Sequence, residues 1–422
     1  MRVLAVAVLA ATAAIGLPAT AAAAPPVGAC RGEPDPPREV VTQLPWAQQL
    51  LDLNRTWPHS TGAGVTVAVV DSGVDGDHPQ LQGKVLPGAD FFLVGDLPGN
   101  FDCIAHGTAV ASIIAASPVA GVGFRGVAPD ARILPVRITD RELTEGGTTV
   151  PINPNVVADG VRYAADSGAK VLNLSMSGYA DFPAIRDAIG YAQDKDVLVI
   201  AAAGNHDAAG APSFPASYDG VLGVGGITID GVRAEGSQVG SYVDLVAPGE
   251  AVLAASRVSG HQYLAGTSFA APFVAGVAAL VRSAYPDLTA PQVAERLLAT
   301  ADPAPGGKNS LEYGAGIVDP YRAVTEDLSD REPLAAPAVS PKPPDLNELR
   351  EAAWWADMSA GAKIGAGLVV AAIVVAVVLA VALPRARRRR WIASRREELP
   401  DTPGHIETPD QIFLFPTGSR TP

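Results

Sequence analysis

The chain has 422 residues and 48% of them are hydrophobic, so a sizeable core is attainable with appendages left over. Its 44 Asp and Glu against 31 Lys and Arg leave a net charge of −13, the wrong sign for a partner held through phosphates, which excludes nucleic acid.

Residues 1–24, "MRVLAVAVLAATAAIGLPATAAAA", put one positive charge before a short apolar run and then small residues suited to an A-x-A cleavage site. This is the layout of a secretory signal peptide, with removal expected near Ala22–Ala24. Residues 25–61 are too few for an independent core. Within them "LPWAQQLLDLNRTWP" offers Leu44, Trp46, Leu50, Leu51 and Leu53 for docking, so this extension is expected to wrap the domain that follows.

Residues 62–325 alternate short apolar runs with helical spacing. Strands are expected at Val65–Asp71, Arg132–Ile138, Lys170–Met176, Val197–Asn205 and Gly220–Ile227, all rich in Val, Ile and Leu. "VVADGVRYAADSGA", "FPAIRDAIGYAQDKD" and "SFAAPFVAGVAALVRSAYP" carry the helical pattern. Such alternation predicts an α/β fold, a mainly parallel sheet covered by helices on both faces, with functional residues beyond the carboxyl ends of the strands. Asp71 and Asn205 each end a strand and fall on that rim.

Two helix starts complete the constellation. "HGTAVASIIAA" opens on His106, with Val110, Ile113 and Ile114 spaced to anchor it in the core. "GTSFAAPFVAG" leads into a helix near Ser268, and Pro272 is expected within its first turn, where no inward hydrogen bond is lost. A serine hydroxyl is a weak nucleophile until an imidazole takes its proton, and a buried carboxylate holds that imidazole in the right tautomer. Ser268, His106 and Asp71 supply these three groups, while the Asn205 amide and the Ser268 N–H suit stabilisation of an oxyanion. Activity is then expected to rise as His106 loses its proton and to level off above roughly pH 7. Asp75 and Asp77 in "VDGDHPQL" do not provide the six to eight oxygens calcium needs, so no metal and no cofactor is assigned.

Beyond the domain, residues 326–360 form a proline-rich linker, and residues 361–383 include "IGAGLVVAAIVVAVVLAVAL", an uncharged stretch long enough to cross a bilayer as a helix. The arginine cluster "PRARRRRWIASRR" opens the tail, residues 384–422, and by the positive-inside rule lies in the cytoplasm. The expected product is a single-pass cell-membrane protein with its large domain extracytoplasmic.

"VAVVDSGVDGDHPQL", "HGTAVASIIAA", "AAAGN" and "GTSFAAPFVAG", in this order, resemble the subtilisin-like serine proteases, over about Gly62 to Tyr321. The resemblance implies a three-layer fold, endopeptidase activity on polypeptide substrates, and the catalytic order Asp71, His106, Ser268, with Asn205 in the oxyanion hole. It further implies that Ser175, Met176, Ser177 and Gly178 form the edge that pairs with substrate backbone. Ala203 and Gly204 would line the pocket for the side chain before the scissile bond. Ser177 departs from the family, which commonly has glycine there. The full arrangement of signal, extension, protease, linker and anchor resembles the mycosins, which implies the type VII secretion membrane complex as a partner. A general cell-envelope protease and a scaffold for a membrane assembly share the same layout.

Cys30 and Cys103 are the only cysteines, and an even count in an oxidising compartment suggests a bridge between them. Alternatively, "VGAC" is a lipoprotein processing site at Cys30.

Overall fold

The computed structural model describes residues 25–26, 28–30, 36–93, 97–140, 152–205, 211–307, 310–328 and 383–385. The predicted signal peptide, most of the linker, the apolar stretch up to residue 382 and the tail after 385 lie outside the described residues. The chain divides into two compact units, Met1–Pro341 and Lys342–Pro422. In the second, residues 383–385 form a helical fragment with exposed side chains.

The first unit contains, in order, α1 (Trp46–Leu50), α2 (Leu53–Thr56), β1 (Thr66–Asp71), β2 (Ala89–Asp90), α3 (His106–Ala115), β3 (Arg132–Arg137), α4 (Pro154–Asp166) and β4 (Val171–Leu174). There follow α5 (Pro183–Asp194), β5 (Leu198–Ala202), β6 (Val221–Ile227), β7 (Leu245–Pro248), β8 (Val252–Ala255), β9 (His261–Leu264), α6 (Thr267–Ala284), α7 (Ala290–Ala299) and α8 (Pro320–Thr325). Seven strands pair in the order β2-β3-β1-β4-β5-β6-β7, each pair parallel, while β8 and β9 form an antiparallel hairpin.

All five predicted strands exist, trimmed at their ends. Their continuous apolar character matches burial on both faces, and Val67 to Val70 of β1 have no exposed surface. One face packs against α3 and α6, where Val110, Ile113, Val274 and Val277 meet Val67, Val69 and Ile200. The other packs against α4 and α5, where Val157, Val161, Ala188 and Ile189 meet Ala68, Val70 and Val199. The chain leaves β1 toward the β2 edge and comes back past it to β4. From β2 through α3 to β3 it moves along the sheet in the same direction as from β3 through α4 to β4 and from β4 through α5 to β5. Yet α3 packs on the opposite face, so the β2–α3–β3 connection has the opposite hand to the usual right-handed crossovers that follow it. β1 is thus flanked by strands reached in opposite directions, which opens the crevice beyond its carboxyl end where Asp71 stands.

The pattern did not reveal β2, β7, the β8–β9 hairpin, α7 or α8. Strands of two to four residues have no period to detect, and β7 and β8 are separated by only the three residues from Gly249 to Ala251. Thr267–Ala284, the only helix among the described residues long and apolar enough to cross a membrane, is α6, a core helix with 83% of that window buried.

The extension does wrap the domain. Arg38 N–H donates to Ser259 O at 3.1 Å, His261 N–H to Glu39 O at 3.0 Å, and Gly123 N–H to Val41 O at 3.1 Å. Trp46 and Trp57 donate their indole N–H groups to Ala251 O (3.0 Å) and Val127 O (2.9 Å). Leu51 and Leu53 dock as expected, and Trp46 packs partly buried against the same core. Leu44 and Leu50 do not, at 36% and 42% exposed: Leu44 lies before α1, and Leu50 ends this five-residue helix, whose buried residues are Ala47 and Gln48. A disulfide joins Cys30 to Cys103, 73 residues apart, so the bridge rather than the lipoprotein reading describes this chain.

Candidate active site

Asp71 closes β1 with its side chain 1% exposed. Its Oδ1 accepts the Nδ1–H of His106 at 2.8 Å and the N–H of Ser72 at 2.7 Å. His106 is the first residue of α3, held by nine consecutive buried residues behind it, and its side chain keeps 14% of its surface open. With Nδ1–H donated to a carboxylate, the neutral ring carries its lone pair on Nε2.

The third residue reaches the same rim from α6. Phe269, the neighbour of Ser268, packs its ring 5.2 Å from that of His106, centroid to centroid. Ser268 Oγ donates to Ser175 O at 3.2 Å, and Ser175 Oγ donates back to Ser268 O at 2.7 Å. This second bond corrects the expectation about Pro272. The helix begins at Thr267, so Pro272 is its sixth residue and lacks the N–H that would bond the Ser268 carbonyl four residues earlier. The Ser175 hydroxyl takes that carbonyl instead, replacing the lost bond and tying the end of β4 to the serine. Asn173, fully buried on β4, donates to Ser175 Oγ at 2.9 Å.

Asn205 follows β5. Its Oδ1 accepts the N–H of Thr267 at 2.7 Å, and Thr267 Oγ1 accepts the N–H of Gly204 at 3.0 Å. Thr267 therefore clamps Gly204 and Asn205, in the turn after β5, to the start of α6 and leaves the Asn205 amide nitrogen as the donating end. Gly266 has φ 133°, and a Cβ there would come within 3.1 Å of Asn205 Nδ2, so glycine meets both the backbone and the space requirement.

The predicted substrate edge is partly engaged within the protein. Gly178 and Phe214 exchange both main-chain hydrogen bonds, at 2.9 and 2.8 Å, so Gly178 has no free backbone pair for a peptide. Ser175 is buried, Met176 is partly open and Ser177 is exposed. Ala203 and Gly204 are both buried, and the Gln238 side chain packs directly against Gly204, where a Cβ would meet its Oε1 at 1.9 Å. Sequence reasoning missed Gln238, Thr267, Asn173 and Asp102. Only Asp102, an acidic residue shortly before a helix whose N-cap is Ala105, left a readable signal.

Among the described residues no group of three or more His, Cys, Asp and Glu is placed to hold a metal ion. Asp75 is used otherwise, its two oxygens accepting the N–H groups of Asp77 (3.1 Å) and Val258 (2.8 Å).

Comparison with known proteins agrees with this geometry. The subtilase family, peptidase S8, matches residues 62–316. Mycosin-4 of Mycobacterium tuberculosis is 36% identical over 83% of this chain and 92% of its own length. Thermitase of Thermoactinomyces vulgaris is also 36% identical, over 66% of this chain and 95% of its own. Among solved structures, MycP1 from Mycobacterium smegmatis superposes with TM-score 0.61 at 33% identity, covering 74% of this chain and 93% of that one. The MycP3 protease from the type VII (ESX-3) secretion system gives TM-score 0.58 at 34% identity, over 68% and 91%. The chain belongs to the subtilase family and is a subtilisin-like serine protease of the mycosin type.

Proposed function

We propose that the chain is a membrane-anchored, extracytoplasmic endopeptidase associated with a type VII secretion membrane complex, and that it cleaves polypeptides through Asp71, His106 and Ser268. The observation that carries the catalytic part is the 2.8 Å bond from His106 Nδ1 to a fully enclosed Asp71, on the rim where α6 presents Ser268. His106 Nε2 takes the Ser268 hydroxyl proton as Oγ bonds to the scissile carbonyl carbon. The Asn205 amide and the Ser268 N–H receive the oxyanion. His106 then protonates the leaving amine, and water releases the acyl group by the reverse proton path. The main chain of residues 175–177 and the pocket beside Ala203 and Gly204 position the peptide, with strand pairing that is largely independent of its sequence.

The secretion role rests on the likeness to mycosins, among them the MycP3 protease from the type VII (ESX-3) secretion system. Membrane anchorage rests on the apolar stretch at Ile364–Leu383 and the arginines after it.

The catalytic part is tested by labelling solubilised membranes with a fluorophosphonate. Wild type takes up the probe and Ser268→Ala does not; a persisting signal in the variant refutes the nucleophile. Alkaline carbonate extraction tests the anchor, which is refuted by release of the mature chain. Affinity purification of the detergent-solubilised chain tests the partner: secretion-complex membrane proteins are expected to accompany it, and their absence under conditions that preserve the complex refutes the association.

A further inference from the structure

Asp102 lies four residues before His106 and is 4% exposed. Four donors converge on its carboxylate. Ser72 Oγ (3.0 Å) and Ile104 N–H (2.9 Å) reach Oδ1, and Thr108 N–H (3.0 Å) and Thr108 Oγ1 (2.6 Å) reach Oδ2. Both hydroxyls already accept a backbone N–H, Ser72 from Gly107 and Thr108 from Asp75, each at 2.9 Å. Their own protons are therefore directed at Asp102, an environment that suits an ionised carboxylate. Burial, the largest influence, leaves the Asp102 carboxyl raised above its ordinary range, with the bonds from Thr108 and Ile104 opposing this in part and the Asp71 charge adding to it.

Ser72 links this carboxylate to the catalytic one. Its N–H donates to Asp71 Oδ1 at 2.7 Å, and its hydroxyl donates to Asp102 while accepting the N–H of the residue after His106. The end of β1 and the first turn of α3 are joined through one fully buried serine. Ala105, at the N-cap of α3 with φ 71°, has no side-chain oxygen, and Asp102 satisfies the Thr108 N–H in its place.

We propose that Asp102 is a positioning residue of the catalytic apparatus: through Ser72 it holds Asp71 against His106, and it adds a second buried negative charge that favours the imidazolium formed when Ser268 is deprotonated. Other charges around it are accounted for. Arg257 donates to the Asp102 main-chain oxygen at 3.2 Å, and fully buried Arg137, 3.7 Å from Cys103 Sγ, is paired with Asp90 at 2.7 Å. From α6 the group facing His106 is the uncharged ring of Phe269.

The inference rests on the triad reading, and the test separates the two. The rate of fluorophosphonate inactivation of the detergent-solubilised full chain is measured against pH for wild type, His106→Ala, Asp102→Asn and Ser72→Ala. Full reactivity in His106→Ala would refute the triad itself. With that control inactive, Asp102→Asn is expected to move the acid limb down by roughly half to one pH unit, the scale of one charge acting across several ångströms of protein. Its plateau rate is expected to fall about tenfold, in line with loss of general-base positioning. Ser72→Ala keeps the charge, so its limb stays in place while its plateau falls. An unmoved acid limb in folded Asp102→Asn overturns the charge role. If Asp102→Asn does not fold, Ser72→Ala decides: a lowered plateau at unchanged thermal midpoint supports the positioning role, and a wild-type plateau overturns it.

Discussion

Acidification should loosen the N-terminal extension through one imidazole. His261, on β9, is 7% exposed; its Nδ1 accepts the Val41 N–H at 3.0 Å, and its Nε2 faces Gln80 Oε1 at 2.7 Å. Nδ1 as acceptor and Nε2–H as donor require the neutral ring, since a proton on Nδ1 would confront the Val41 N–H. Burial, with the neighbouring His78 adding to it, pushes His261 down from 6.5 to about 4. The unfolded chain thus binds a proton between pH 6.5 and 4 that the folded chain does not. Its stabilising contribution is present above pH 6.5 and is lost as pH falls through that window. Between pH 7 and pH 4.5 the loss is about 2 kcal/mol, somewhat less than the whole shift because pH 4.5 still lies above the folded-state value. Denaturant unfolding at these two pH values measures it in wild type and in His261→Gln, whose amide can accept from Val41 and donate to Gln80 without titrating. The drop in the variant should be smaller by that amount, and the protection of the amides at residues 38–43, measured against their intrinsic exchange rates at each pH, should fall with acid in the wild type. Equal drops in the two proteins would refute the reasoning.

Three further outcomes follow from the same structure. Asn205→Ala should lower kcat by roughly a hundredfold to a thousandfold with KM little changed, the scale of losing one oxyanion donor in a related subtilisin, as steady-state peptide hydrolysis would report. Replacing Cys30 and Cys103 together by serine opens a loop of 73 residues and should cost roughly 4 kcal/mol in denaturant unfolding on the chain-entropy account, with a value near zero counting against it. Burial pushes Asp244 up to about 6 from 3.8, so the folded state holds a proton the unfolded state has released and stability falls as pH rises through that window. Asp244→Asn keeps an acceptor for the Gly223 N–H, which Asp244 Oδ2 receives at 2.8 Å. It should raise stability by about 2 kcal/mol at pH 7 and leave it unchanged near pH 3, as read by thermal unfolding.

How much was legible in the chain depends on how local each signal is. Strand β1 with Asp71 at its end, α3 with His106 at its start and α6 beginning beside Ser268 are written in contiguous residues, because apolar period and helix-start chemistry are properties of a few neighbours. An even count of two cysteines suggested the bridge from residue 30 to residue 103 beside a lipoprotein alternative, and the structure decided between them. Leu44 and Leu50 show the limit of that reading, since an apolar side chain near a helix does not say which side the short helix turns inward.

Tertiary structure decided what side chains do across distance. Pro272 is accommodated by the Ser175 hydroxyl, 97 residues earlier in the chain, and the Asn205 amide is oriented by the N–H of Thr267, 62 residues later. Asp102 and Ser72 meet because β1 and α3 converge, and His261 finds Val41 because the extension crosses the hairpin. Hydrogen bonds need their partners within about 3 Å and in the right direction. Residue order carries no such distance for segments brought together only by folding, so sequence could name candidate reacting groups, while the packed chain assigned the hydrogen-bond partners around them.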